Sequence, residues 1–351
     1  MLTKKTKKIS FKAKMLLALG AILLVILTVT GISYYLNYFK PNVNGNIEYL
    51  YINTGSDFDD VYLSIKSDGI VHDTIAFYNA AQNMQYVGKV KAGRYRLTKG
   101  MSNRAFINML KAGNQEPVKI SFQNVRLKHT LAGMVSKKIE SDSASISTLL
   151  DSAAFVEKYG FTTDNVYTMF IPNSYEIYWN TDAERFFNRM HEEYVKFWTA
   201  DRKSKASSIN LSPIEVSVLA SIVDGEALND KEMPRIAGLY MNRLLKGIRL
   251  EADPTVIFAA NDFTIRRVLN KHLRINSPYN TYLNSGLPPG PISMPSIHAI
   301  DAVLSYEKHD YIYMCAKEDF SGYHNYASTL SQHLINAKKF QQALNERNIK
   351  K

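Results

Sequence analysis

The sequence predicts an α+β fold in which a single N-terminal transmembrane helix precedes a small β-α-α-β module and a larger mixed α+β region. A run of apolar and weakly polar residues extends from Met15 to Ile32, which is the length that a helix needs to cross a bilayer. Beyond it, short strand-like segments alternate with helix-like segments. About 310 residues follow, which is more than one hydrophobic core usually serves, so at least two domains are expected.

The N-terminal segment is predicted to anchor the chain in a membrane. Residues 1–14 hold six lysines and no acidic residue and form a basic cytoplasmic tail, residues 15–36 form the transmembrane helix, and residues 37–46 form a linker. Aromatic residues between positions 34 and 39 supply a belt at the far interface, and the lysines place the N-terminus in the cytoplasm. A cleaved signal peptide is the alternative, but its apolar core would be shorter and followed by small residues.

Composition narrows the function classes. The formal net charge is +11, but six of these charges lie in the N-terminal tail, and the remainder lacks the concentrated basic patch of a nucleic-acid-binding protein. Its modest positive balance suits an anionic polymer of the cell envelope. Cys315 is the single cysteine, so no intrachain disulfide can form, and we expect it to pack in a buried strand over 311–316. Since HExxH and CxxC motifs are missing, neither a metal nor a cofactor is predicted.

Residues 47–117 are predicted to form the β-α-α-β module. Its size suits either a glycan-binding domain or a spacer, and composition does not choose between them. The expected elements are a strand over 48–52, helices over 57–67 and 74–82, a strand over 93–97, and a helix capped by Ser102 that ends near Gly113.

Residues 118–206 are predicted to form a connecting helical subdomain. The polar segment 202–208 at its end is expected to be a hinge. The expected elements are a strand over 118–122, helices over 127–140, 145–150 and 153–159, a packed loop over 169–178 and an amphipathic helix over 182–201.

A candidate acid lies at the end of the next predicted helix, which Ser212 caps. Glu226 falls three residues after Val223 and four after Ile222, so helical spacing places its carboxyl at the end of the apolar stripe. Apolar surroundings penalise the charged form, and this is how a glutamate becomes a general acid near neutral pH. Asp224 falls on a smaller, more polar row. The simpler interpretation of a lone glutamate near a helix end is a solvated or salt-bridged side chain.

The segments downstream could form a groove around this acid. Asp253 either caps a helix that begins at Pro254 or belongs to the site. Two Gly/Pro-rich loops with tyrosines and amides, over 277–282 and 286–292, would provide a stiff wall. The remaining elements are a helix over 234–245 that ends in Asn242-Arg243, the strand over 311–316, a turn over 322–326, and a helix from Thr329 that carries His333.

Six short motifs, in a fixed order, carry a family resemblance. They are Leu219-Ala220-Ser221-Ile222-Val223 with Glu226, Asn242-Arg243, Asp253-Pro254-Thr255-Val256, Ser277-Pro278-Tyr279-Asn280-Thr281-Tyr282, Gly286-Leu287-Pro288-Pro289-Gly290-Pro291-Ile292 with Pro295, and Gly322-Tyr323-His324 with His333. In this order and spacing the chain resembles the endolytic murein transglycosylases of the MltG (YceG-like) family. The family commonly has Glu-Lys-Glu where this chain has Asp224-Gly225-Glu226. Glu226 is the preferred catalytic residue, and Asp224 is the alternative.

The resemblance implies a LysM-like module at 47–117 and a catalytic transglycosylase domain at 207–351, outside the plasma (inner) membrane on its periplasmic or extracytoplasmic side. The implied reaction cuts the β-1,4 bond from N-acetylmuramic acid (MurNAc) to N-acetylglucosamine (GlcNAc), leaves a 1,6-anhydro end without a cofactor, and terminates or trims nascent glycan strands. Peptidoglycan is the implied substrate, and peptidoglycan synthases are implied partners. The implied substrate-binding residues are Asn242, Arg243, Asp253, Thr255, Ser277, Tyr279, Asn280, Thr281, Tyr282, Pro288, Pro289, His324 and His333.

Two other functions fit the same residues. A non-catalytic peptidoglycan-binding scaffold would explain the Asp224-Gly225 departure, although Glu226 and the flanking motifs argue against it. A muramidase-type hydrolase would pair Glu226 with a second carboxylate, which could be Asp253 or Asp224. Anhydro ends, reducing ends or an absence of products would distinguish the three functions.

Overall fold

A computed structural model describes residues 10–123 and 125–347, which divide into two compact units. The first unit contains the chain up to Val118 together with Tyr178–Asn180, and the second contains Lys119–Ile177 and the chain from Thr181 onward. Most of the lysines of the predicted cytoplasmic tail, and residues 348–351, lie outside the described residues. Helices and short two-stranded sheets make up both units, so the predicted α+β class is confirmed.

The first helix, α1 (Phe11–Tyr38), begins where the Ser10 hydroxyl accepts a hydrogen bond from the backbone N–H of Ala13. None of its 28 residues is buried. In the described part of the chain it is the one unbroken helix that is long and apolar enough to cross a membrane. At 1.5 Å per residue it measures about 42 Å, more than the roughly 30 Å of a bilayer core.

The rest of the first unit follows the predicted β-α-α-β order and adds the expected helix after it. Strand β1 (Tyr49–Ile52) pairs antiparallel with β2 (Gly93–Arg96), so that Tyr49 lies opposite Arg96. The helices are α2 (Phe58–Ser67), α3 (Thr74–Asn83) and α4 (Asn103–Ala112), and they begin at side-chain caps from Asp57, Asp73 and Ser102.

The segment between α1 and β1 is packed against this unit. Asn42 and Val43 are buried, although they were expected in a linker. The Asn42 amide donates a hydrogen bond of 2.8 Å to the Asn103 side-chain oxygen, and the Asn103 amide donates one of 2.9 Å to the Asn37 carbonyl in the last turn of α1. These buried contacts join the end of α1 to the first unit without a free tether.

The second unit is mainly helical, and its core surrounds one buried helix. Strand β3 (Val118–Ser121) pairs with β4 (Ser174–Ile177) at its start. Helix α10 (Pro213–Glu226) is buried continuously from Val216 to Val223 and contacts α11, α12 and α13. The remaining elements are α5 (Lys128–Ser136), α6 (Ser143–Asp151), α7 (Ala153–Val156), α8 (Ala183–Phe197), α9 (Ala200–Ser208), α11 (Met233–Leu245), α12 (Asp253–Ala260), α13 (Ile297–Leu304), β5 (Tyr313–Ala316), β6 (His324–Ala327) and α14 (Leu330–Glu346).

Several predicted elements differ from the structure. The single helix expected over 182–201 is interrupted because Trp198 turns into the core and Thr199 caps α9, so the expected hinge at 202–208 is helical instead. The turn predicted over 322–326 lies earlier, because β6 starts at His324 and pairs antiparallel with β5. Cys315 is half-buried on β5 rather than part of a buried strand. Helix α13 was not predicted.

Candidate active site

A cavity of about 450 Å³ opens in the second unit where five elements meet. The end of α10, one face of α11, the start of α12, the β5–β6 hairpin and α14 all contribute to its wall. Its polar and charged lining residues include Glu226, Tyr240, Arg243, Glu251, Asp253, Tyr282, Tyr313, His324 and His333. The cavity therefore brings together the predicted catalytic glutamate and five of the thirteen predicted substrate-binding residues.

Glu226 is the last residue of α10 and lines this cavity as a half-buried residue. Burial of its carboxyl among protein atoms, reinforced by the negative charge of Asp253, raises its pKa from 4.5 to about 7. Hydrogen bonds from the Tyr240 hydroxyl and the backbone N–H of Asp253 oppose this rise by stabilising the carboxylate. The acid can therefore exist in both protonation states near neutral pH, as a general acid–base catalyst requires.

Tyr240 on α11 fixes the orientation of that carboxyl. It is only 2% exposed, and its hydroxyl donates a 3.0 Å hydrogen bond to Oε1 of Glu226. We did not predict a role for Tyr240 from the sequence. Its spacing of three from Arg243, which places both on one helical face, was the available signal.

Arg243 forms part of the cavity wall and ties it together. The side chain is 6% exposed, and Nε donates to the Ile312 carbonyl at 2.6 Å. Nη1 donates to the carbonyls of Arg249 and Leu250 and forms a 2.9 Å ion pair with Glu251. One guanidinium thus connects α11, the segment before α12 and the β5 edge, and it keeps a positive charge at the cavity.

Asp253 and Tyr282 form a hydrogen-bonded pair on the same wall. Ala252 is the N-cap of α12 and makes no side-chain cap, whereas Asp253 is the first helical residue, so the capping interpretation of Asp253 is wrong. Its Oδ1 accepts a 2.7 Å hydrogen bond from the Tyr282 hydroxyl. This bond, together with burial as the larger cause, raises the pKa of Tyr282 well above its ordinary value, so the phenol remains a hydrogen-bond donor.

Two histidines line the opposite side of the cavity. The backbone N–H of His324 donates a 2.8 Å hydrogen bond to Oε1 of Glu232, and Nδ1 of His324 lies 2.9 Å from Oε2 of the same carboxylate. Glu232 is only 4% exposed. A carboxylate can only accept, so Nδ1 carries a proton and Nε2 is the acceptor of the neutral ring. His333 stacks on Tyr313 with ring centroids 5.2 Å apart, and burial together with the charge of Arg243 lowers its pKa.

Other predicted substrate-binding residues occur outside the cavity lining. The Asn242 amide donates to the backbone carbonyls of His309 at 2.6 Å and Tyr311 at 3.0 Å, which fixes the segment before β5. Pro288 is buried and Pro289 is exposed, and neither lines the cavity. These residues shape the surrounding backbone.

The two threonines and the asparagine of the motifs are buried. The hydroxyls of Thr255 and Thr281 lie 2.8 Å apart and join the start of α12 to the loop that carries Tyr282. The Asn280 amide donates to two backbone carbonyls, at 2.8 and 3.0 Å, within the preceding turn. The polar groups of these residues thus form hydrogen bonds with each other and with backbone N–H and carbonyl groups that lie outside any α-helix or sheet.

The two tyrosines of the first loop have separate environments. Tyr279 packs on Phe258 with ring centroids 4.7 Å apart and is directed away from the cavity lining. The Ser277 hydroxyl accepts the backbone N–H of Tyr279 at 3.2 Å and so belongs to the turn. Of these predicted residues, only Tyr282 reaches the candidate acid's cavity.

Asp224 has a structural environment instead. Its Oδ1 accepts a 2.7 Å hydrogen bond from the Ser296 hydroxyl, and Oδ2 accepts the backbone N–H of Ser296 at 3.3 Å. Ser296 is itself the N-cap of α13. Asp224 therefore holds the start of a core helix and is not part of the cavity that contains Glu226.

Comparison with known proteins identifies the family. The model of the YceG-like family matches residues 50–339, which is most of the chain. The chain belongs to the YceG-like family. This result confirms the resemblance that the motifs carried.

The relatives of this YceG-like chain are named for an activity. It is 28% identical over 332 residues to a protein of Bacillus subtilis named endolytic murein transglycosylase, covering 88% of this chain and 87% of that protein. Two proteins of Streptococcus pneumoniae with the same name are each 25% identical and cover 75% of this chain. The match spans only about half of the length of those two, at 53%.

A solved structure shares the fold of this YceG-like chain. The crystal structure of a yceG-like protein from Listeria monocytogenes superposes with a TM-score of 0.54 at 24% sequence identity. The likeness covers 82% of this chain and 97% of that one. It supports the arrangement of elements described above.

At position 225 the family resemblance led us to expect lysine, and this chain has glycine. A Cβ added at Gly225 would lie 3.0 and 3.1 Å from the Cβ and Cγ atoms of Pro254, closer than side chains normally approach. The missing side chain lets the start of α12 lie against the end of α10. Next to this contact, the backbone N–H and the carboxylate of Asp253 both act on Glu226.

Proposed function

We propose that this YceG-like protein is a membrane-anchored endolytic lytic transglycosylase that cleaves the MurNAc-β-1,4-GlcNAc bond of peptidoglycan and leaves 1,6-anhydro-MurNAc ends. The observation that carries the proposal is a buried carboxyl, with its pKa raised to about 7, on the wall of a 450 Å³ cavity. The names of the relatives support the substrate and reaction. Such an enzyme would terminate or trim nascent glycan strands.

A single carboxyl can perform both proton transfers of this reaction. Protonated Glu226 gives its proton to the glycosidic oxygen as the C1–O bond breaks, and the GlcNAc end leaves as an alcohol. The resulting carboxylate then takes the proton of the MurNAc C6 hydroxyl while that oxygen bonds to C1. The products carry a 1,6-anhydro ring, and the acid is restored without water. The hydrogen bond from Tyr240 keeps the carboxyl in one orientation through both steps.

The transition state bears positive charge on the sugar ring, and nearby groups can stabilise it. The Asp253 carboxylate lies close enough to Glu226 to affect its pKa, and it also lines the cavity. We propose Arg243, Tyr282, His324 and His333 as further substrate-binding residues, because their side chains can reach a sugar in the cavity. The amides of Asn242 and Asn280 are occupied by backbone carbonyls and act by holding the walls.

The chain outside the cavity suggests how the enzyme is delivered to its substrate. We propose that α1 is the single-pass anchor of the plasma membrane, that residues 47–117 are a LysM-like module that contacts glycan, and that catalysis belongs to the region from residue 207. The unburied apolar surface of α1 supports the first assignment. The antiparallel pair of strands enclosing two helices supports the second. Peptidoglycan synthases, which produce the nascent strands, are the proposed partners.

Product analysis tests the proposal. Full-length protein in detergent would be incubated with purified peptidoglycan, and the released muropeptides would be analysed by mass spectrometry. Anhydro-muramyl ends are expected. Reducing ends in their place would show a muramidase, for which the position of Asp253 beside Glu226 is the favouring observation. Binding without products would show a scaffold.

A further inference from the structure

A second cavity, of about 270 Å³, lies on the other side of the junction between α10 and α12. Gly225 and Ala227 line it, and these are the two neighbours of Glu226 in the chain. Pro254 lines it as well and directly follows Asp253. The two cavities share no lining residue among those described but lie next to each other along the chain around Glu226.

The walls of the second cavity are mainly apolar. They come from α12, from the segment after it and from the chain that precedes α13. Leu228 at its edge is 85% exposed, although a leucine gains by burial. The apolar lining residues are Ala227, Leu228, Pro254, Ile257, Phe258, Phe263 and Ile292.

One cation accompanies this apolar lining. The Arg126 guanidinium lies 5.3 Å from the centroid of the Phe263 ring, which orients it beside the cavity. Within residues 10–123 and 125–347, Arg126 forms no ion pair. Asp224 also lines the cavity, but both of its oxygens accept hydrogen bonds from Ser296. Asp224 thus keeps a negative charge in the lining but is fixed on Ser296, and Arg126, which has no carboxylate partner in the part of the chain that the structure describes, can pair with a ligand carboxylate.

Four exposed cations follow Phe263 in the chain, and Asp262 precedes it. Arg266 and Arg267 follow it within four residues and are exposed, as are Lys271 and Arg274. A cavity with apolar walls and basic surroundings suits a ligand that carries small apolar groups next to carboxylates. GlcNAc, which has no carboxyl group, would make no use of this charge.

We propose that this second cavity binds the stem peptide that is attached to the lactoyl group of MurNAc. The proposal rests on the lytic transglycosylase function above and adds that the enzyme selects strands bearing peptides. MurNAc in the first cavity would extend its peptide over the outer surface of the Gly225–Pro254 contact, where Gly225 is exposed. The peptide's small apolar side chains would lie against Phe258 and Phe263, and one of its carboxylates would pair with Arg126.

Matched substrates and variants test this assignment. Full-length protein in detergent would be given peptide-bearing glycan strands, or the same strands after an amidase has removed the peptides and the lactoyl carboxylates so exposed have been converted to amides, and anhydro ends would be counted. Wild type is expected to favour the peptide-bearing strands. Arg126→Ala should lower kcat/KM for those strands by about ten- to a hundredfold, which is the effect of one charge-assisted hydrogen bond, and bring the ratio of the two substrates towards one. Arg126→Lys should restore part of the preference.

Arg347→Ala is the matched control, because Arg347 is exposed in the same unit, lines neither cavity, and lies 4.0 Å from the Phe320 ring centroid, a cation–π contact like that of Arg126 with Phe263. It should behave as wild type. Equal turnover of both strands by wild type, or an equal loss on both in Arg126→Ala with an unchanged melt, would overturn the peptide site.

A binding measurement separates failure of the peptide site from failure of the proposed function. A soluble muramyl tripeptide and MurNAc whose lactoyl carboxyl has been amidated would be titrated into wild type and Arg126→Ala by calorimetry. Tighter binding of the tripeptide that is lost in Arg126→Ala would support the peptide site even if no anhydro ends form and the transglycosylase proposal fails. Equal affinity for the tripeptide and the amidated MurNAc in wild type would refute it whatever the products are.

Discussion

Replacing Glu226 by glutamine should lower the turnover of the enzyme and raise the stability of its folded state. Gln keeps the volume of the side chain and can accept the hydrogen bond from Tyr240, but it has no proton to transfer. Turnover should therefore fall by at least about 10² to 10⁴-fold, the usual contribution of general acid–base catalysis. Glu176→Gln, at an exposed position of the same unit, serves as the control and should keep wild-type activity.

The stability effect of this replacement follows from the raised pKa. A pKa of 4.5 that becomes about 7 on folding means that the ionised carboxyl destabilises the folded state by about 3 kcal/mol. Near pH 4 the acid is largely protonated whether the chain is folded or unfolded, so this cost is absent there. It grows as the pH rises from about 4.5 and is complete above about 7. Glu226→Gln removes the cost, so its advantage over wild type should grow over the same interval.

Thermal melts of the full-length protein at several pH values measure this difference. For a unit of this size, about 3 kcal/mol corresponds to a rise in Tm of roughly 6 to 12 °C at pH 8 relative to wild type, with little of it remaining at pH 4. A difference between variant and wild type that stays constant with pH would show that Glu226 is not a desolvated acid. Near-normal turnover by the variant would show that another residue transfers the proton.

Further results are expected from three variants, from chelators and from a reporter fusion. Tyr240→Phe removes a hydrogen bond that lowers the pKa of Glu226, so the pH at which kcat/KM begins to fall on the alkaline side should move upward, and activity should drop by about tenfold. Asp224→Asn should stay within about tenfold of wild-type turnover but lose about 1 kcal/mol of stability, seen in denaturant melts, because it weakens the start of α13. Glu232→Gln should raise KM more than it lowers kcat, because the replacement no longer fixes the tautomer of His324. Chelators should leave the activity of the wild-type protein unchanged. A reporter fused to the C-terminus should be active only outside the cytoplasm; activity inside would contradict the anchor.

The sequence predicted the elements whose signals are local. Ser212 caps α10 as expected, and Glu215 completes the capping box with a 2.8 Å bond to the Ser212 backbone. The break between α8 and α9 was missed because the amphipathic pattern continues across it, while Trp198 is drawn into the core by tertiary contacts. Helix α13 was missed because a short apolar run has no diagnostic period of its own.

For the candidate site, the sequence predicted residue types better than their roles. Tyr279 and Tyr282 share one loop and one chemistry, yet one packs on Phe258 and the other reaches Asp253. Polar residues in a Gly/Pro-rich loop can bind a ligand or satisfy the loop's own backbone, and local sequence does not distinguish the two. Glu232 carried no motif, because its importance comes from a contact across 92 residues with His324.

The joint between α1 and the first unit determines how that unit can search its surroundings. A module on a flexible linker can explore a volume above the membrane, and the radius of that volume increases with the length of the linker. Here the buried Asn42 and Val43 and the Asn103–Asn37 hydrogen bond allow no such freedom. With α1 held in a bilayer, the first unit would stay at a constant distance from the membrane surface. It would move only parallel to that surface as the helix diffuses laterally. Its encounter with a polymer made at the membrane surface would then be a two-dimensional search.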